Sequence, residues 1–300
     1  MRLRPALSLP RCSPRAWCFV AALLTAPAAL GGQQIASADV DGTLSARAIG
    51  SDTARLRAPV QKTFFVKRDL AATGIAIAGT AAVSAFDLRI ARWVRSERVQ
   101  GDTSRHDLVS ELTRVNETPL MLAALATYGV GRVARSSTTA DVGLHTLEAL
   151  VLTTTVSTVI RGVVGRSRPR VSLDDPFHFK PGTGFSGFET RSFPSLHTAA
   201  AFATATALVG EIELRRPAAK RVAAPLLYTA AMAPGLTRLY LDQHWASDIA
   251  AGAFVGALLG SRVVGYAHSH RRTRLDRALL GVSAVPDGHG GVMVMVSVEH

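Results

Sequence analysis

Cysteine is nearly missing from this 300-residue chain: Cys12 and Cys18 are the two it has, and both fall ahead of its main body. Neither a disulfide framework nor a thiol nucleophile is therefore available to residues 39–300. Aromatic residues make up 6% of the chain and form no stacking platform interleaved with basic residues, and no zinc-finger spacing occurs. Nucleic acid is excluded as a partner on these grounds. Acidic residues are also scarce, 22 against 34 Lys and Arg, for a net charge of +12, a balance that favours phosphate esters and acidic lipid surfaces. No metal is required and no cofactor is expected.

Arg2, Arg4, Arg11 and Arg15 precede an apolar stretch from Ala16 to Leu24, and Ala26-Pro27-Ala28 and Ala36-Ser37-Ala38 offer small-residue cleavage sites. Residues 1–38 read as an export leader or signal peptide, and residues 39–62 as a polar linker. Six apolar segments follow, at approximately 70–86, 118–134, 142–160, 196–210, 222–240 and 248–266. Most are near the lower length limit for a membrane span, and they are rich in Ala, Gly and Thr, which let helices approach closely. Asp87 to Glu117, with Arg89, Arg92, Arg95 and Arg98, reads as one amphipathic surface helix, and residues 170–192 as a loop able to cover a site. Alternating Val292 to Val298 behind Pro286-Asp-Gly-His-Gly-Gly291 suggests a small β-hairpin in the tail, residues 271–300. The expected fold class is all-α, a six-helix bundle over 63–270 with that hairpin appended.

Three segments carry chemistry. Arg161-Gly-Val-Val-Gly-Arg-Ser-Arg168-Pro169 supplies two cations seven residues apart, which share a helix face, with Pro169 placing Arg168 near a helix end. Phe193-Pro194-Ser195-Leu196-His197 opens an Ala-rich run, so Ser195 reads as an N-cap presenting free backbone N–H groups to an anion. Thr237-Arg238-Leu-Tyr-Leu-Asp-Gln-His244-Trp-Ala-Ser-Asp248 adds a third cation and sets His244 four residues before Asp248. Phosphate ester cleavage needs neutralised oxygens, an aligned nucleophile and a proton for the leaving group. Arg161, Arg168 and Arg238 with Ser195 supply the first; His244, oriented by Asp248, the second; His197 the third. His145 and His178 read as structurally satisfied, Glu148 as either a buried functional carboxylate or a packing residue, and Asp242 receives no role.

In their order and spacings the three segments resemble the type 2 phosphatidic acid phosphatase (PAP2) and haloperoxidase superfamily, whose pattern is a basic residue, six residues and Arg-Pro; Pro-Ser-Gly-His; then Ser-Arg, five residues, His, three residues, Asp. Arg161 stands where Lys is usual, Leu196 where Gly is usual and Thr237 where Ser is usual. The resemblance implies a phosphatase acting through a phosphohistidine on His244. Phosphatidate, undecaprenyl pyrophosphate and phosphorylated lipid A are compatible substrates. The implied setting is a bacterial inner membrane with the site facing the periplasm; a soluble periplasmic phosphatase is the alternative. A vanadium-dependent haloperoxidase and a non-catalytic membrane protein with vestigial motifs are the rival functions.

Overall fold

The computed structural model describes residues 63–113 and 116–270, together with the backbone of 282–286 and 292–296. The expected leader and linker lie outside the described residues. Nine helices run through the described part: α1 Lys67–Ser84, α2 Asp87–Val94, α3 Glu97–Gln100, α4 Thr103–Leu112, α5 Glu117–Val133, α6 Ser137–Val164, α7 Leu196–Arg215, α8 Pro217–Tyr240 and α9 Ala246–Ser269. α1 and α5 to α9 answer the six expected apolar segments. The strands β1 Val282–Pro286 and β2 Val292–Val296 pair antiparallel, with Ala284 opposite Val294. The turn expected between them lies outside the described residues.

The charged stretch is not one helix. It breaks into α2, α3 and α4, because Gly101 ends α3 and the Asp102 carboxylate accepts the Ser104 and Arg105 N–H groups to start α4 afresh. Local signals set the longer helices as well. The Ser136 hydroxyl caps α6, and Gly165 closes it with φ of 61°, a left-handed position where a Cβ would lie 1.8 Å from the Lys180 carbonyl oxygen. Pro217 begins α8 at a position that needs no N–H.

Small residues decide how the helices meet. Gly252, Gly256 and Gly260 form a stripe on α9, and a Cβ on each would sit 2.5, 2.1 and 2.7 Å from the carbonyl oxygens of Ser195, Ala199 and Ala203. The two backbones are thus in direct contact along the first two turns and beyond, which fixes the start of α9 beside the start of α7. The buried face of α7 is correspondingly Ala199, Ala200, Ala203 and Ala207. Gly143 of α6 meets the Tyr128 backbone of α5 in the same way.

Polarity runs inside out. Leu70, Ile75 and Ile77 of α1, Leu122 and Val130 of α5, Val151 and Val159 of α6, and Val222 and Leu226 of α8 are more than half exposed, while Thr146, Thr153, Ser157, Thr206 and Glu211 are buried. α6 and α9 are long and apolar enough to cross a membrane, and α1 with α2, bent by 53°, pass the same test together. Such a distribution places the apolar solvent outside the bundle and the polar groups within it.

Candidate active site

The starts of α5, α7 and α9, the end of α8 and the segment after α6 converge at one end of the bundle. Arg168 does not share a helix face with Arg161 as the spacing suggests: α6 stops at Val164, and Arg168 lies in the following loop. The loop itself joins them. Arg161 donates from Nε and Nη2 to the Arg191 carbonyl at 2.9 and 2.7 Å, and the Arg168 N–H donates to the Glu189 carbonyl at 3.0 Å. The Arg168 guanidinium lies 4.0 Å from the Phe188 ring centroid, yet its Nε and Nη1 are buried without a hydrogen-bond partner. Burial, followed by the charges of Arg161 and Arg170, lowers the Arg168 pKa to about 10. An anion would relieve each of these deficits.

His244 lies in the turn between α8 and α9, one residue before the α9 cap Trp245. The i,i+4 contact expected with Asp248 is present but long, with Nδ1 3.7 Å from Asp248 Oδ2, and the shorter partner of Nδ1 is the Ser192 carbonyl oxygen at 2.7 Å. A carbonyl only accepts, so Nδ1 carries the proton, and Nε2, buried without a partner, holds the lone pair. Burial is the main force holding the His244 pKa below its ordinary value, against the Asp248 carboxylate, which raises it.

Asp248 instead ties the site together from behind. Its Oδ2 accepts from the Trp245 N–H at 2.8 Å and the Ser192 hydroxyl at 2.5 Å, and its Oδ1 accepts from Arg166 at 2.6 Å. Arg166 also pairs with Asp87 at 2.8 Å, donates to the Ser247 hydroxyl and the Pro176 carbonyl, and sits between the Phe179 and Trp245 rings. Both oxygens of Asp248 thus help fix the chain around Ser192, the residue whose carbonyl orients His244.

Ser195 caps α7 by position, but its hydroxyl makes no cap bond and instead accepts from the Thr198 hydroxyl at 2.9 Å, while its N–H donates to the Asp248 carbonyl at 2.9 Å. Leu196 has ordinary helical backbone, for the positive-φ non-glycine residues among those described are Arg135 and Asp242. Leu in place of Gly therefore brings no strain. One residue on, His197 Nδ1 is buried and unpartnered, with Nε2 3.6 Å from Glu117 Oε2. Burial first, then the charges of Arg238, His244, Arg161 and Arg168, lowers the His197 pKa to about 3. Arg238 joins through a partnerless Nε, its Nη2 donating to the Thr113 carbonyl at 3.3 Å.

Sequence reasoning missed Arg166, Asp87, Ser192 and Glu117. Arg166 lies inside the first motif and was passed over because its partners are about 80 residues away along the chain. Glu117 was read as the end of a surface stretch. Asp242, given no role, pairs with Arg95 at 2.9 Å on the rim.

Residues 143–272, the segment that carries all three motifs, match the model of the PAP2 superfamily. It is 30% identical over 167 residues to a lipid A 1-phosphatase of Porphyromonas gingivalis, the match taking in 56% of this chain. The chain spans about a third of that relative's length, 32%. A crystal structure of a transmembrane PAP2-type phosphatidylglycerolphosphate phosphatase from Bacillus subtilis aligns with 65% of this chain and 98% of its own, at 18% identity and a TM-score of 0.41.

Proposed function

We propose that the protein is a membrane phosphatase that removes phosphate from a lipid phosphomonoester or pyrophosphate by way of a phosphohistidine, and that its substrates include lipid A-type glycosyl phosphates. The observation that carries this reading is the set of buried, partnerless groups, namely His244 Nε2, His197 Nδ1, Arg168 Nε and Nη1, and Arg238 Nε, gathered at one end of the bundle. Buried polar groups of this kind have partners when a site is filled, and cations flanking two imidazoles fit a tetrahedral dianion.

In the proposed reaction, phosphate oxygens lie against Arg161, Arg168 and Arg238, near the start of α7 and Ser195. The His244 Nε2 lone pair forms the N–P bond as the P–O bond to the alcohol breaks. The leaving oxygen takes a proton from His197. The pKa of about 3 in the free pocket would leave His197 neutral; a bound dianion offsets the surrounding guanidinium charges and lets the ring take up the proton it then delivers. Neutral His197 next removes a proton from water, whose oxygen displaces His244 and releases phosphate. Asp248 acts as a positioning residue, through Ser192.

The inside-out polarity supports the membrane, and the proposed site faces the extracytoplasmic side. The test is phosphate release from Kdo-lipid A and from phosphatidate in detergent, with wild type and His244→Ala, and alkaline quenching to trap a phosphorylated imidazole. A release rate in His244→Ala equal to wild type, or a trapped phosphate that survives acid, overturns the reading.

A further inference from the structure

At the other end of the same three helices stands a second cluster. His145 lies near the start of α6, Glu211 near the end of α7 and His268 near the end of α9. Their partners at the phosphate end are Arg161, His197 and Asp248, 16, 14 and 20 residues away along those helices. At 1.5 Å per residue the two sites are separated by about 21–30 Å.

His145 Nδ1 lies 2.5 Å, and His268 Nε2 3.0 Å, from the same oxygen, Glu211 Oε1. The three ligand atoms lie within 4.8 Å of one another. His145 and Glu211 are buried and His268 is exposed. Arg215 holds the other carboxylate oxygen and reaches Asp141 at 3.5 Å, so Glu211 is fixed with Oε1 turned to the two rings. The ring centroids are 5.1 Å apart and nearly perpendicular, at 78°.

We propose that His145, Glu211 and His268 bind a divalent transition-metal ion of the zinc type. Two imidazoles and one carboxylate are a donor set suited to zinc, with bonds of about 2.0–2.2 Å and a fourth position left for water. In a tetrahedral site such bonds put ligand atoms about 3.4 Å apart, so each ring nitrogen moves off Glu211 Oε1 by under 1 Å and the two nitrogens, within 4.8 Å of each other, close by at most about 1.4 Å to admit the ion. Coordination uses the lone pairs of His145 Nδ1 and His268 Nε2, and the proton that each of these atoms shares with Glu211 moves to the other nitrogen of its ring or to solvent. His268 at the surface provides the way in. The ion ties α6, α7 and α9 together at the end where no backbone stripe of glycines does so, and takes no part in the phosphate chemistry.

The experiment uses the full chain, purified in detergent without an affinity tag, stripped with chelator and then titrated with Zn²⁺ alone. Elemental analysis after gel filtration, calorimetry and the visible absorption of the Co²⁺ form are the readouts. One ion retained per chain, affinity at least tenfold weaker in His268→Ala, a saturable rise in melting temperature lost in that variant, and Co²⁺ absorption of tetrahedral intensity support the site. Because His268 is exposed, its replacement keeps the fold even if His145→Ala does not. No retained ion in the wild type, or retention as tight in His268→Ala as in the wild type, overturns it.

Discussion

The His244 tautomer rests on a main-chain carbonyl at 2.7 Å, with the Asp248 carboxylate farther off at 3.7 Å. Replacing Asp248 by Asn keeps an acceptor for the Trp245 N–H but withdraws the charge that Arg166 and the Ser192 hydroxyl engage. Activity is expected to fall about a hundredfold with the Michaelis constant little changed, as measured by steady-state phosphate release. His197→Gln is expected to lose roughly 10²–10⁴-fold on an alkyl phosphate and far less on p-nitrophenyl phosphate, whose leaving group needs no proton; an equal loss on both would remove the acid role. The same side chain sets a pH dependence of stability. Its pKa of about 3 in the folded protein is below the ordinary 6.5, so the unfolded chain binds a proton that the folded chain refuses. Stability from this site is present above pH 6.5 and is lost as pH falls from there toward 3. Thermal melting of the ligand-free protein follows that slope, and His197→Gln flattens it.

At the scale of elements, the contact between α7 and α9 is the one the site depends on. A Cβ at Gly256 meets the Ala199 carbonyl oxygen at 2.1 Å, with no side chain able to yield. Gly256→Val is expected to cost about 1–3 kcal/mol or more and to lower activity with it, as His244 and His197 move apart. Gly74→Ala on α1 meets nothing within 4 Å and is expected to raise stability by up to about 1 kcal/mol; denaturation in detergent compares the two. Helix positions were legible in the sequence, since apolar runs bounded by Ser136, Gly165 and Pro217 carry their own start and stop signals. The motif residues were legible because their chemistry is unusual in apolar surroundings. The break-up of 87–112 was not, because Gly101 and Asp102 had to outweigh a charge pattern. Nor was the Arg166, Asp87 and Asp248 knot, which only long-range folding assembles. Helical spacing misled at Arg168, which lies off the helix that Arg161 belongs to, and at His244 it found Asp248 but not the nearer Ser192 carbonyl.

For the molecule as a whole, the direction of the site across the membrane is the open quantity that one labelling experiment reads. A cysteine introduced at exposed Ser186, in a background with Cys12 and Cys18 replaced, is expected to react in intact cells with a maleimide that cannot cross membranes. Protection until the cells are broken would put the site on the cytoplasmic side. The inside-out build has a further result, for evolutionary drift. Cohesion here comes from main chain lying on main chain, so a residue on the seam of α7 and α9 has almost no permitted replacement, whereas Leu70, Ile77 or Val222 can trade places with any oily neighbour. Divergence will therefore be inscribed on this chain in lengthwise bands, one frozen and one freely rewritten, and two copies long separated in descent will still share the pale line of glycines and alanines when little else can be aligned.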